Sequence, residues 1–174
     1  VKTAIEPFTK TVAIAAINGP ESVVISGASA DVRQVMTALE KDGIKTKALV
    51  VSHAFHSPQM DPMLAEFEKI ASEIKYSAPK IRLVSNLLGR RVESEVTKAS
   101  YWRHHVREAV RFADGIVSLA QDGFRIFLEA GPGTTLCGMA RLCVSQDADD
   151  FVFQPSLKKN TVDWEQIGEA VAQL

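Results

Sequence analysis

The chain has 174 residues, 46% of them hydrophobic, enough to bury the core of one domain or of two small ones. Its 20 Lys and Arg against 21 Asp and Glu leave a net charge of −1, which excludes a one-signed field able to gather nucleic acid or coat a membrane. No apolar run reaches the roughly 18 residues of a spanning helix, VKTAIEPFTK lacks a signal-peptide centre, and Cys137 and Cys143 have neither CxxC nor zinc-ligand spacing; reduced thiols in a cytoplasmic protein are the expectation.

VAIAAIN (12–18) and SVVISG (22–27), parted by Gly19-Pro20-Glu21, predict a hairpin. Between Ala30 and Asp42, Val32, Val35, Met36 and Leu39 share one helical face, and Asp42-Gly43 ends it. IKTKALVV (44–51) alternates as a strand does. Beyond Met60, the spacing of Met63, Leu64, Phe67, Ile70, Ala71 and Ile74 predicts an amphipathic helix, with Ser57-Pro58 and Asp61-Pro62 as rival starts.

IRLVSN (81–86) reads as a strand, Tyr101 to Gln121 as mostly helix, and FRIFLEA (124–130) as a buried strand entering Gly131-Pro132-Gly133, after which TTLCGMARL is helical. Past Gln146, the acidic DADD and then FVFQPSLKKNTVDWEQIGEAVAQL read as a strand, a polar turn and an edge helix. The order predicts an α/β protein: a small α+β unit over 1–52, a helix-covered sheet over 53–146 and a linker over 147–174.

The chemistry concentrates in VSHAFHSPQM (51–60). His56 stands at an expected strand exit and helix mouth, where a ring can be held firmly and still meet solvent. Its bland reading, a capping or hydrogen-bonded histidine, weighs against a catalytic base. His53 lines whatever space His56 faces. A zinc site from His53, His56, His104 and His105 is a poor fit, with no HExxH and no completing carboxylate at helical spacing.

EAGPGTTL lacks both GxGxxG and a Lys-Ser/Thr pair, so its glycines read as a tight strand-to-helix turn. Arg103, Arg107 and Arg111 recur every four positions, which describes a solvated helix face or, more sharply, a docking face for a phosphate-bearing or acidic carrier. No serine or cysteine occupies a Gly-x-Ser-x-Gly elbow, and Ser26 in ISGAS has only Gly27 beside it. A histidine base would therefore lack a nucleophile in this sequence.

AAINGPESVVISG, HAFHSPQM, YWRHHVREAVRFADGI, FLEAGPGTTL and FQPSL together resemble, in order and spacing, the acyltransferase domains of modular polyketide synthases, relatives of malonyl-CoA:acyl-carrier-protein transacylases. The resemblance implies a partial ferredoxin-like subdomain followed by the C-terminal part of an α/β-hydrolase-like acyltransferase core. It implies transfer of a malonyl unit from coenzyme A, through a serine acyl-enzyme, to the phosphopantetheine thiol of an acyl carrier protein, without metal or redox cofactor.

By the same resemblance His56 is the base, and His105 stands where the family supports that base through a backbone carbonyl. Phe55, beside His53, sits where a bulky ring goes with malonyl and a smaller residue with methylmalonyl. The family's serine elbow, arginine and oxyanion-hole glutamine would precede Val1, in an upstream part of the same domain. This chain is therefore expected to be inactive alone. The rival expectation is a non-catalytic fragment that docks a carrier protein through Arg103, Arg107 and Arg111.

Overall fold

The computed structural model describes residues 1–144 and 150–173. The predicted hairpin forms from β1 (Val12–Gly19) and β2 (Ser22–Gly27), antiparallel, with Val12 opposite Gly27 and Gly19 opposite Ser22. A short α1 (Lys2–Ile5), which the periodicity does not reveal, and α2 (Ser29–Lys41) cover it. Ile5, Val12, Val35 and Leu39 form the buried cluster, flanked by Phe8, Ile14 and Ile25. Gly43 at φ 77° ends α2 as expected, letting Gly43 N–H reach the Glu40 carbonyl and Ile44 N–H the Leu39 carbonyl.

Residues 44–51 correct the sequence reading, because they form no strand and leave Leu49, Val50 and Val51 exposed. Alternation says which faces a strand would show, but a strand exists only through a neighbour's hydrogen bonds. None is available to this stretch among the described residues.

Ser57 settles the rival helix starts. Its hydroxyl caps a 3-10 turn over Pro58–Met63, which holds Asp61-Pro62 and feeds α3 (Leu64–Ser72). β3 (Leu83–Ser85) pairs antiparallel with β4 (Arg90–Val92), a strand too short to stand out in the sequence. The Ser85 hydroxyl organises their connection by accepting from Leu87 and Leu88 N–H, both at 3.1 Å, and meeting the Tyr101 hydroxyl at 2.6 Å. Val92, Val96 and Tyr101 make a second buried cluster.

The long helix expected from Tyr101 is two helices, α4 (Ala99–Arg107) and α5 (Phe112–Gln121). Tertiary hydrogen bonds break it. Val110 N–H donates to the Ala15 carbonyl and Ile17 N–H to the Val110 carbonyl, both at 2.8 Å, while Arg111 N–H donates to the Asn86 carbonyl at 2.6 Å. Strand β1 thereby claims backbone groups that a continuous helix would need for itself.

β5 (Ile126–Glu129) pairs in parallel with β6 (Val152–Pro155), and α6 (Thr135–Cys143) and α7 (Asp163–Ala172) complete the fold. β5 is less buried than expected, with Ile126 46% and Leu128 49% exposed, because β6 is its only sheet partner among the described residues. Of the acidic boundary expected after Gln146, residues 147–149 lie outside the described residues. On its far side, β6 joins β5, and the buried Gln166 of α7 donates from Nε2 to the Pro155 carbonyl at 3.1 Å. The architecture is mixed α/β, with α5 and α6 packed on β1.

Candidate active site

His56 lies on a tight turn and not, as expected, directly at a strand exit. Its φ is 60°, a left-handed conformation unusual for a residue with a side chain. Two anchors from the end of α4 hold it. His56 N–H donates to the Val106 carbonyl at 3.0 Å, and Nδ1 lies 2.7 Å from the Glu108 carbonyl.

A carbonyl can only accept, so Nδ1 carries a proton, and in the neutral ring it is Nε2 that keeps the lone pair. That is the tautomer a general base requires. Glu108, extended at φ −88° and ψ 160°, ends α4, where backbone carbonyls lack intrahelical donors and their partial negative charge favours a developing imidazolium. The ring is half-buried.

The supporting carbonyl belongs to Glu108, which corrects the assignment of that support to the His105 position. His105 is half-buried, with its ring 6.4 Å from that of His56 and 6.0 Å from both Tyr101 and Trp102. Burial, and secondarily the neighbouring His56, lower its pKa. His104 takes a separate, exposed direction and donates from Nδ1 to the Ser100 carbonyl at 2.7 Å.

His53 is exposed beside Ser52, and its ring lies 6.1 Å from that of Phe55, which in turn lies 6.4 Å from that of His56. Phe55, 49% exposed, thus forms a wall adjoining the candidate base. Among the described residues, no group of three or more His, Cys, Asp or Glu is placed to hold a metal ion.

The three-arginine face does not form. Arg103 faces Glu68 on α3 at 3.4 Å, Arg107 Nε reaches Asp61 at 2.6 Å, and Arg111, beyond the end of α4, reaches Asp114 at 2.6 Å. The helical spacing holds only while the helix continues. Arg107 instead ties the turn below His56 to α4. We expect Arg107→Ala to cost about 0.5–1 kcal/mol in urea unfolding, less in high salt; no change at low salt would show the tie to be idle.

The GPG segment is closed to phosphate by its own residues. Glu129 Oε2 accepts Cys137 N–H at 2.8 Å in the first turn of α6, and Gly131 N–H donates to the Ser156 hydroxyl at 3.0 Å. Burial raises the pKa of both Cys137 and Cys143, which disfavours their thiolates.

The elements that sequence reasoning missed are backbone carbonyls and small side chains: Glu108, Val106, Ser57 and Asp61. Only the last two carried a signal, as the rival caps before Pro58 and Pro62.

The family model for the acyl transferase domain matches residues 2–174. The chain is 42% identical over 159 residues to the polyketide synthase GfsA of Streptomyces halstedii, covering 91% of this chain and 2% of that protein. It is 48% identical over 133 residues to the phenolphthiocerol synthesis polyketide synthase type I Pks15/1 of Mycobacterium marinum, covering 75% and 6%.

Among solved structures, it superposes on the acyltransferase domain from the second module of the salinomycin polyketide synthase with a TM-score of 0.93 and 44% identity, covering 99% of this chain and 40% of that one. The acyltransferase domain of SpnD, in complex with 2-(pent-4-yn-1-yl)malonyl, superposes with a TM-score of 0.90 and 27% identity, covering 99% and 43%. The chain therefore spans a few per cent of these synthases and about two fifths of the solved chains.

Proposed function

Because the chain belongs to the acyl transferase domain family, we propose that it supplies the general base of a domain that moves a malonyl unit from coenzyme A to an acyl carrier protein. The observation that carries this reading is the 2.7 Å hydrogen bond from His56 Nδ1 to the Glu108 carbonyl. It leaves Nε2 ready to accept a proton. The nucleophile is a serine in the part of the domain that this sequence does not include, in keeping with the absence of a Gly-x-Ser-x-Gly elbow from residues 1–174.

In the first half-reaction Nε2 takes the serine proton as the oxygen attacks the thioester carbonyl. The tetrahedral intermediate collapses with cleavage of the carbon–sulfur bond, and His56 returns the proton to the departing coenzyme A sulfur. In the second half, Nε2 takes the proton of the carrier's phosphopantetheine thiol as its sulfur attacks the serine ester, and the serine oxygen leaves with that proton. The protons balance around one imidazole, and the sequence of steps calls for no metal or redox cofactor. Alone, the chain would have a base with nothing to activate. The expected location is cytoplasmic; among the described residues no helix is long and apolar enough to cross a membrane.

The test is to supply the intact acyltransferase domain with malonyl-CoA and a carrier protein. A malonylated carrier is the expected product, and its absence would overturn the reading. Phe55 and His53 would then border the acyl group, with the Phe55 ring leaving little room for an α-methyl. One methyl in such a pocket is worth about 1–3 kcal/mol, so Phe55→Ser is expected to raise the methylmalonyl-to-malonyl ratio of kcat/KM by about tenfold or more. An unchanged ratio would place selectivity elsewhere.

A further inference from the structure

Ser57 is completely buried although its neighbours Phe55 and His56 are not. Its hydroxyl donates to the Ala54 carbonyl at 2.6 Å and accepts Gln59 N–H at 3.2 Å. The first bond adds a side-chain tie across the turn Ala54–Ser57, over the span that a turn's backbone N–H ordinarily bridges. The second anchors the turn to the following 3-10 helix. Between them sits His56 at φ 60°, a position that such turns usually give to glycine or asparagine.

We infer that Ser57 is a positioning residue, its buried hydroxyl holding His56 in the left-handed conformation that delivers its ring to the Glu108 carbonyl. Capping the 3-10 turn alone would explain the Gln59 bond but not the bond to Ala54, which spans His56 itself. Relaxation of His56 to a negative φ would swing the Cα–Cβ bond and draw Nδ1 away from Glu108. Ser57 touches no reacting atom and acts only through that histidine.

The catalytic consequence rests on the proposed function, but the structural one is tested on this chain alone. In nitrogen-detected NMR of the imidazoles, the unaltered chain is expected to show His56 as the Nδ1–H tautomer with a protected ring proton. Ser57→Ala is expected to shift it toward Nε2–H and expose that proton to exchange. A His56 signal identical in both proteins would overturn the inference.

A stability cycle supplies the second measurement. His56→Asn places at this position a residue that tolerates a positive φ, so Ser57→Ala should destabilise the chain that keeps His56 more than it destabilises the His56→Asn variant. Equal losses, or failure to fold in both backgrounds, would assign Ser57 a purely architectural role and overturn the inference. In the intact domain, Ser57→Ala is expected to lower kcat about 10- to 100-fold with little change in KM for malonyl-CoA. A tautomer shift without a fall in kcat would leave the positioning role standing and count against His56 as the base.

Discussion

His56→Asn, made in the intact acyltransferase domain, is expected to lower kcat for malonyl transfer by about 10²–10⁴-fold, the usual contribution of a positioned acid–base group. Asparagine suits the test because it accepts the φ of 60° found at this position while offering no titratable nitrogen. The variant should fold at least as well as the unaltered protein, since the left-handed conformation costs a histidine more than an asparagine. Both half-reactions should slow, because in the proposed mechanism the same Nε2 receives the serine proton in one and the carrier thiol proton in the other. A thermal midpoint kept or raised alongside lost turnover separates chemistry from folding. Turnover within about twofold of the original would remove His56 from the mechanism.

Gly27→Ala is expected to be the most damaging single methyl in the chain. A β-carbon there would overlap the Thr11 carbonyl oxygen and lie 2.7 Å from Val12 Cα and 2.9 Å from Thr11 C. All three are backbone atoms, and the Thr11 carbonyl is already engaged by Ala28 N–H at 3.0 Å. Relief requires the two hairpin strands to part at the point where Val12 enters the buried cluster. A loss of about 3 kcal/mol or more follows, at the upper end of overpacking costs.

Gly123→Ala is the control, with φ 87° but nothing within 4 Å of the added carbon, so it isolates backbone strain, about 1–2 kcal/mol. Urea unfolding of both variants decides the matter. Equal losses would mean that overlap at Gly27 is absorbed cheaply. The damage should also reach the site, because Ala15 and Ile17 of β1 hold Val110, just beyond the Glu108 carbonyl that carries the His56 ring.

The parts of this fold that were legible in the sequence are those governed by local chemistry. The hairpin announced itself through two apolar runs and a glycine-proline turn, α2 through its apolar face and Gly43, and α3 through its spacing. His56 stood out as a histidine at an expected helix mouth, and Phe55 through the family resemblance of HAFHSPQM. What stayed hidden depends on distant groups. No pattern in YWRHHVREAVRF says that β1 will take the backbone of Val110 and split the helix. Without that break, Arg111 reads as a continuation of the face of Arg103 and Arg107, and Glu108 as an ordinary exposed acid. The alternation of residues 44–51 could not reveal that no neighbouring strand lies beside them among the described residues. The supporting carbonyl is invisible for a simpler reason, since every residue has one and only the fold selects which is used.

The proposed mechanism is tested most directly by where a malonyl group becomes covalently attached. Intact-mass measurement after mixing with malonyl-CoA, followed by peptide mapping, should find one malonyl adduct on the intact domain, on a serine outside residues 1–174, and none on this chain alone. It should form far more slowly in the His56→Asn variant. A stoichiometric adduct on the isolated chain, or one formed at an unchanged rate without the imidazole, would contradict it.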